Sequence, residues 1–214
     1  ELSTPEALDL VEQMAALEPE WLFPGHGLAI HGRDAVQRVL NDTAQYLRHI
    51  IDQVLTRLNA GETSEQIFHA VTSHPELSKR PYLLEMYDHP KFIVRNLIRQ
   101  WGGWWNGNAA DLLPAPAEAQ AREISALAGG IEALIARGRK ALAEDRLEMA
   151  AHLAEWATRA DGKNTGAQQL KREVYRRCME ASNNLMAQGV YRDAMNDASE
   201  ALGGQRVKRQ GRIF

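Results

Sequence analysis

The sequence predicts a mainly α-helical chain that opens with a short strand-bearing stretch. Three observations predict it. Apolar residues recur at helical spacing over most of the length, helix start and stop signals punctuate that pattern, and strand-type runs are confined to positions 21–30. The bulk numbers agree with a globular protein. The 214 residues are 44% hydrophobic and 25% charged, enough for one large core or two small ones. A formal net charge of −3 gives no strong field toward nucleic acid or an anionic membrane surface, so neither is an expected partner. The single cysteine, Cys178, excludes an intrachain disulfide and a cysteine-only zinc site. No run reaches the ~18–20 apolar residues of a membrane-spanning helix. The chain opens without Met or a basic-then-apolar leader, so it is expected to be a piece of something longer, with its compartment open.

The elements follow in order. Ser3-Thr4-Pro5-Glu6 is a helix start: a hydroxyl to cap, a proline for the first turn, an acid for the positive end of the dipole. Leu8, Val11, Met14 and Leu17 mark its apolar face, and Glu18-Pro19-Glu20 stops it. Trp21-Leu22-Phe23 reads as a short strand ended by Pro24-Gly25-His26-Gly27, with Leu28-Ala29-Ile30 as a second. From Asp34 to about Leu58 a wide apolar stripe predicts a long helix. Gly61 ends it, and Thr63 with Gln66 forms a capping box for the next. His74-Pro75 through Arg80-Pro81 is a turn region. Pro90 then opens a helix that runs to Gly102-Gly103, and Trp104-Trp105-Asn106-Gly107-Asn108 is irregular. Leu113-Pro114-Ala115-Pro116 is a connector. Beyond it the chain is rich in Ala, Glu, Arg and Leu, which are strong helix formers.

This last stretch contains a loose repeat. At an offset of 44 positions Ala143 falls on Ala187, Leu147 on Tyr191, Ala150 on Ala194, Ala154 on Ala198 and Ala157 on Ala201. Small residues at fixed helical positions let helices approach closely, so the pattern predicts tetratricopeptide-like hairpins, although that repeat is usually ~34 residues.

Pro24-Gly25-His26-Gly27 is the most informative segment for chemistry. Proline and two glycines fix a tight turn after a strand and leave the imidazole of His26 uncrowded, which suits a metal ligand; read from the residues alone, it is equally a hydrogen-bonded turn histidine. The other histidines carry less. His31 sits in a plain turn, His69 and His74 straddle a helix end and read as exposed, His89 beside Pro90 reads as a helix cap, and His49 and His152 lie within helices. Cys178 has no base beside it in sequence. The basic end, Arg206-Val207-Lys208-Arg209-Gln210-Gly211-Arg212, reads as a solvated linker rather than a nucleic-acid patch.

The order helix, apolar strand, PGHG, short strand and long helix resembles the end of the catalytic domain in the metallo-β-lactamase superfamily. Three later features are similar to the alkylsulfatase branch of that superfamily: Val94-Arg95-Asn96 within a helix, the Gly103-Trp104-Trp105-Asn106-Gly107-Asn108 loop, and Leu112-Leu113-Pro114 before Ala-rich hairpins. The resemblance covers nearly the whole chain. It implies residues 1–33 as the remnant of an αββα catalytic domain, 34–113 as the first helical part of a dimerisation domain, and 114–214 as its hairpin part. It implies a parent that hydrolyses alkyl sulfates to alcohol and sulfate with two zinc ions, assembled as a homodimer, with His26 as the last metal ligand. In such an enzyme the 104–108 loop lies near the active-site entrance, where Trp104 and Trp105 would hold an alkyl chain and Asn106 and Asn108 would meet sulfate oxygens. Read from the residues alone, the same tryptophans are packing groups and the asparagines a turn.

Two features depart from the family pattern. The H-x-H-x-D-H motif that supplies most ligands is absent, and no sterol-carrier-like domain follows the hairpins. One histidine does not hold a zinc pair, since each ion takes about three protein ligands. The expectation is therefore a piece that supplies one ligand and the dimerisation region, binds no zinc tightly and is inactive alone, its catalytic and sterol-carrier-like domains lying elsewhere in the parent. The alternative from another class is a free-standing helical interaction module, with PGHG incidental.

Overall fold

Helix α1 (Thr4–Ala16) begins on the capping box anticipated for it: the Ser3 side chain accepts from the Glu6 backbone, and Glu6 returns to the Ser3 N–H at 2.7 Å. A computed structural model describes residues 3–208 of the chain. Among them the structure is helical throughout apart from one two-stranded hairpin. Two compact units result, Glu1–Leu112 and Leu113–Phe214. No helix of the described residues is long and apolar enough to cross a membrane.

In the first unit, Leu8 of α1 is buried, but Leu17 is not part of that face; it is 80% exposed, because it follows the helix as its C-cap, ahead of Glu18 with φ 48°. Strands β1 (Trp21–Leu22) and β2 (Ile30–His31) pair antiparallel, Trp21 opposite His31 and Leu22 opposite Ile30. Both are shorter than the apolar runs suggested. Phe23 and Leu28 fall outside the ladder and are exposed. Pro24 brings no N–H to extend the pairing, so the chain leaves the ladder before the PGHG turn.

Helix α2 (Arg33–Asn59) is the spine of this unit. Its stripe of Val36, Leu40, Ala44, Ile50, Ile51 and Val54 is buried. Around Ile50, Ile51 and Val54 gather Ile67, Val71, Leu77, Val94 and Leu97 from later elements. Helix α3 (Ser64–Ala70) starts on the Thr63–Gln66 capping box. Two short 3₁₀ turns follow, Leu77–Lys79 and Pro81–Leu83. Tyr82 pins this stretch to α2 by donating its hydroxyl to Asp42 at 2.5 Å, with Arg80 beside the same carboxylate. Helix α4 (Pro90–Leu97) is capped by His89, whose Nδ1 accepts the Lys91 N–H at 3.1 Å. It widens into a π-helical turn, Ile98–Gly102, before the irregular loop.

The second unit is five helices: α5 (Ala117–Leu127), α6 (Ile131–Ala143), α7 (Leu147–Ala160), α8 (Thr165–Ala181) and α9 (Leu185–Ala201). α6 with α7 and α8 with α9 form successive antiparallel hairpins. The core mixes small and large side chains: Ala141, Ala150, Ala154, Ala157 and Ala167 are fully buried beside Leu134, Ile135, Leu170 and Val174. Gly138 of α6 lies so close to α8 that a methyl there would sit 2.5 Å from Leu170 Cδ2.

The hairpins are present, but the sequence register is corrected. Ala143 ends α6 whereas its counterpart Ala187 lies inside α9, and Ala157 is buried whereas Ala201 is exposed. The caps before α6 and α8, Gly130 and Asn164, lie about 34 positions apart, the ordinary tetratricopeptide spacing. Matching alanines by identity slid one hairpin past the loop of the other.

Candidate functional site

His26 projects from the loop of the β1–β2 hairpin. Pro24, Gly25, His26 and Gly27 are all exposed, and a Cβ added at either glycine would meet nothing within 4 Å. His26 is thus exposed, in a loop whose two glycines have open space beside them. It makes no hydrogen bond, ion pair or ring contact among the described residues. Its neighbour along the chain, His31, is engaged instead: its ring stacks on Trp21 with centroids 4.0 Å apart, and Nε2 lies 3.6 Å from Glu20.

Zinc takes about four donors in a closed site and three protein donors in an open one. Among the described residues no three His, Cys, Asp or Glu side chains gather in a way that could hold an ion. Among the described residues the donor set around His26 is one imidazole, fewer than the three protein donors of an open zinc site.

The 104–108 loop is organised by a residue the sequence did not single out. Asp111 accepts from Asn106 Nδ2 at 2.7 Å and from Asn108 Nδ2 at 3.1 Å. Asn106 Oδ1 accepts the Asn108 N–H at 2.9 Å, and Asn108 Oδ1 accepts the Ala110 N–H, starting the 3₁₀ turn Ala109–Asp111. Both side-chain amides are therefore already donors to a carboxylate. The spacing Asn-x-Asn-x-x-Asp was available as a signal, being an Asx-turn pattern with an acceptor one turn on.

Gly107 anchors the loop on α3. Its φ is +91°, and a Cβ there would lie 2.9 Å from Thr63 Cγ2, so only glycine allows the approach. Between the loop and the ends of α2 and α3 lies an open cleft of about 400 Å³. Its lining joins the apolar Leu55, Leu58, Trp101 and Trp105 to the polar Asn59, Glu62, Thr63, Ser64 and Asn106. Trp105 is 41% exposed and lines this cleft, whereas Trp104 is 79% exposed and stands outside its lining.

Lys91 holds the opposite end of α3. Its ammonium donates to the carbonyls of Val71, at 2.7 Å, and Phe68, satisfying groups a helix end leaves unpaired. Burial pushes its pKa down. Arg95 stacks on the Phe68 ring at 4.6 Å. Of the other histidines, His89 caps as expected. His74 is half-buried rather than exposed, its Nδ1 accepting the Leu77 N–H at 3.2 Å with its ring edge-on to His49. Cys178 is buried in the second unit, where burial raises its thiol pKa and disfavours the thiolate.

A helical unit with one strand hairpin, followed by two stacked helix pairs, defines a mainly α module that displays an isolated histidine. The chain belongs to the alkyl sulfatase dimerisation family, which matches residues 63–200. It is 31% identical over 176 residues to the linear primary-alkylsulfatase of a Pseudomonas strain, covering 82% of this chain and 33% of that protein. It is 26% identical to an (R)-specific secondary-alkylsulfatase of Pseudomonas, covering 79% of this chain and 26% of that one. An alkyl/aryl-sulfatase of Saccharomyces cerevisiae is 26% identical over 70% of this chain and 23% of its own length. The chain thus spans about a third or less of the curated relatives it matches. The stereoselective inverting sec-alkylsulfatase Pisa1 from Pseudomonas shares the fold, with a TM-score of 0.81 at 24% identity over 92% of this chain and 31% of that one.

Proposed function

We propose that this chain is the dimerisation region of an alkyl sulfate ester hydrolase, together with the last stretch of its catalytic domain. The observation that carries the reading is the family match over residues 63–200, joined to three alkylsulfatase relatives. They favour it over a free-standing interaction module. In this reading His26 donates one ligand to a zinc centre whose other ligands come from sequence beyond this chain. The exposure of its ring and the absence of partners are what such a ligand needs. The helical units associate as a homodimer, and the reaction converts an alkyl sulfate and water to an alcohol and sulfate. Trp105, which lines the cleft, would meet the alkyl chain in this reading.

The test joins this chain to the sequence that precedes it in its reading frame. An H-x-H-x-D-H motif there and release of sulfate from dodecyl sulfate support the reading; His26→Ala then removes zinc and activity together. The 214-residue chain alone releases none. Light scattering across micromolar concentrations gives twice the chain mass; a monomer throughout would sink the dimer.

A further inference from the structure

Residues 83–87 lead from the 3₁₀ turn Pro81–Leu83 to the cap of α4, and their polarity is reversed. Leu83 packs on the core of the first unit. Beyond it the polar residue goes in and the apolar ones stay out. Glu85 turns toward Ser73 and the buried Tyr46. It accepts the Ser73 hydroxyl at 2.9 Å, and the Tyr46 hydroxyl and His89 Nε2 each lie 3.5 Å from its carboxylate. Leu84 and Met86 are each 52% exposed and Tyr87 is 70% exposed. Among the described residues no other four consecutive positions hold three large exposed apolar side chains.

This strap is held in place. Tyr82 fastens the near end to Asp42, His89 caps α4 at the far end, and Glu85 is tied between them. Covering a strap already fixed costs little further backbone ordering entropy. The inward turn of Glu85 has a second effect. Where two identical chains meet across a two-fold axis, the same patch lies on both sides. A carboxylate at the centre of such a patch would face its own copy, like charge against like charge. With Glu85 inside, Leu84, Met86 and Tyr87 present an uncharged face that is complementary to itself. The strap lies within residues 63–200, the stretch matched by the alkyl sulfatase dimerisation family, whereas the exposed Trp21, Phe23 and Leu28 of the β1–β2 hairpin lie outside it.

From these observations we infer that the 84–87 strap is the centre of the homodimer seam, packed against the same strap of a second copy. The inference rests on the reading of this chain as a dimerisation region and adds where the two copies meet. A stable dimer buries about 1,200–2,000 Å², so the strap supplies the anchors of the seam and not its whole area.

Light scattering of the full 214-residue chain against concentration tests it. Met86→Glu together with Tyr87→Glu raises the dimer dissociation constant at least about a hundredfold, the scale of losing interface anchors, with the helical circular dichroism unchanged. Phe23→Glu, which puts the same charge on the hairpin, leaves the dimer intact. Met86→Glu and Met86→Lys each weaken the dimer alone, and mixing the two variants restores it, because opposite charges then meet across the axis. A chain that is monomeric at every concentration removes the dimerisation reading and this inference with it. A dimer that withstands the double change leaves that reading standing and overturns the inference, assigning the strap to the rest of the parent chain. Failure of the two Met86 variants to recombine overturns the pairing of strap with strap.

Discussion

The two units solve helix packing with different shares of small side chains. The first, Glu1–Leu112, fills its core with large branched side chains, Ile50, Val54, Ile67, Val94 and Leu97, all fully buried. It ties its short elements together with side chains that reach backbone groups, such as Lys91 on α3, Gln53 on Thr72 and Gln37 on Ala15. The second, Leu113–Phe214, brings helices close by making the crossing residues small, and lets charged and phenolic groups bridge neighbouring helices. Glu155 of α7 accepts from Tyr175 at 2.8 Å and lies 3.0 Å from Lys171, both on α8. Burial and that carboxylate push the Tyr175 phenol up. Short, irregular elements need volume and tethers. Regular, repeated ones combine a close seam of alanines with a few large side chains, Leu134, Ile135, Leu170 and Val174.

If that contrast is correct, the two cores fail to opposite substitutions. The largest effect falls in the first unit. Ile50→Ala opens a cavity at a fully buried site and costs about 2–5 kcal/mol. Ile50→Val, which removes one methylene, costs about 1 kcal/mol. In the second unit the harmful direction is growth. Ala154→Leu forces a branched side chain into the seam of α7 and costs about 1–3 kcal/mol. Urea denaturation with amide exchange assigned to each unit checks both. A benign Ala154→Leu would break the comparison.

The tethers come next. Lys91→Met keeps the aliphatic stem and removes the charged donor from the end of α3. A hydrogen bond to a charged group is worth roughly 1.5–3 kcal/mol, so about 2 kcal/mol is lost from the first unit. Exchange of the α3 amides rises with it, while α8 and α9 are untouched. Uniform destabilisation of both units would mean that Lys91 acts globally rather than as a cap.

What could be read in advance follows the same division. The capping residues Ser3, Thr63 and His89 were legible because capping is local: a side chain and an N–H two or three residues on. The helices of the second unit were legible from composition. Their register was not, because alanine is small in every context, and only the third dimension separates the buried Ala157 from the exposed Ala201. Lys91 and Asp111 were missed for a common reason. Charged residues look solvated in a sequence, and the groups that claim them sit on other elements or past a turn. At the candidate site, the open loop around His26 was readable from Pro24 and the two glycines. The hold of Asp111 on both asparagines was not.

The smallest effect concerns how the helices are capped. α8 and α9 begin on Asn164 and Asn184, whose amides are neutral at every ordinary pH. α1 begins on a box whose second member, Glu6, is a carboxylate held below its usual pKa by the Ser3 backbone N–H and then the Ser3 hydroxyl. The sign follows from linkage. A carboxyl lowered on folding adds stability above its unfolded pKa of about 4.5, and that stability is lost as pH falls through the folded value. Acid should therefore fray the start of α1 before it disturbs the starts of α8 and α9. Amide shifts of residues 4–7 followed from pH 7 to pH 3 read this directly. Glu6→Gln, which keeps an acceptor oxygen but no charge, flattens the titration while leaving α1 formed at neutral pH. Fraying of α9 in step with α1 would show that the acid response belongs to the whole chain and not to this cap.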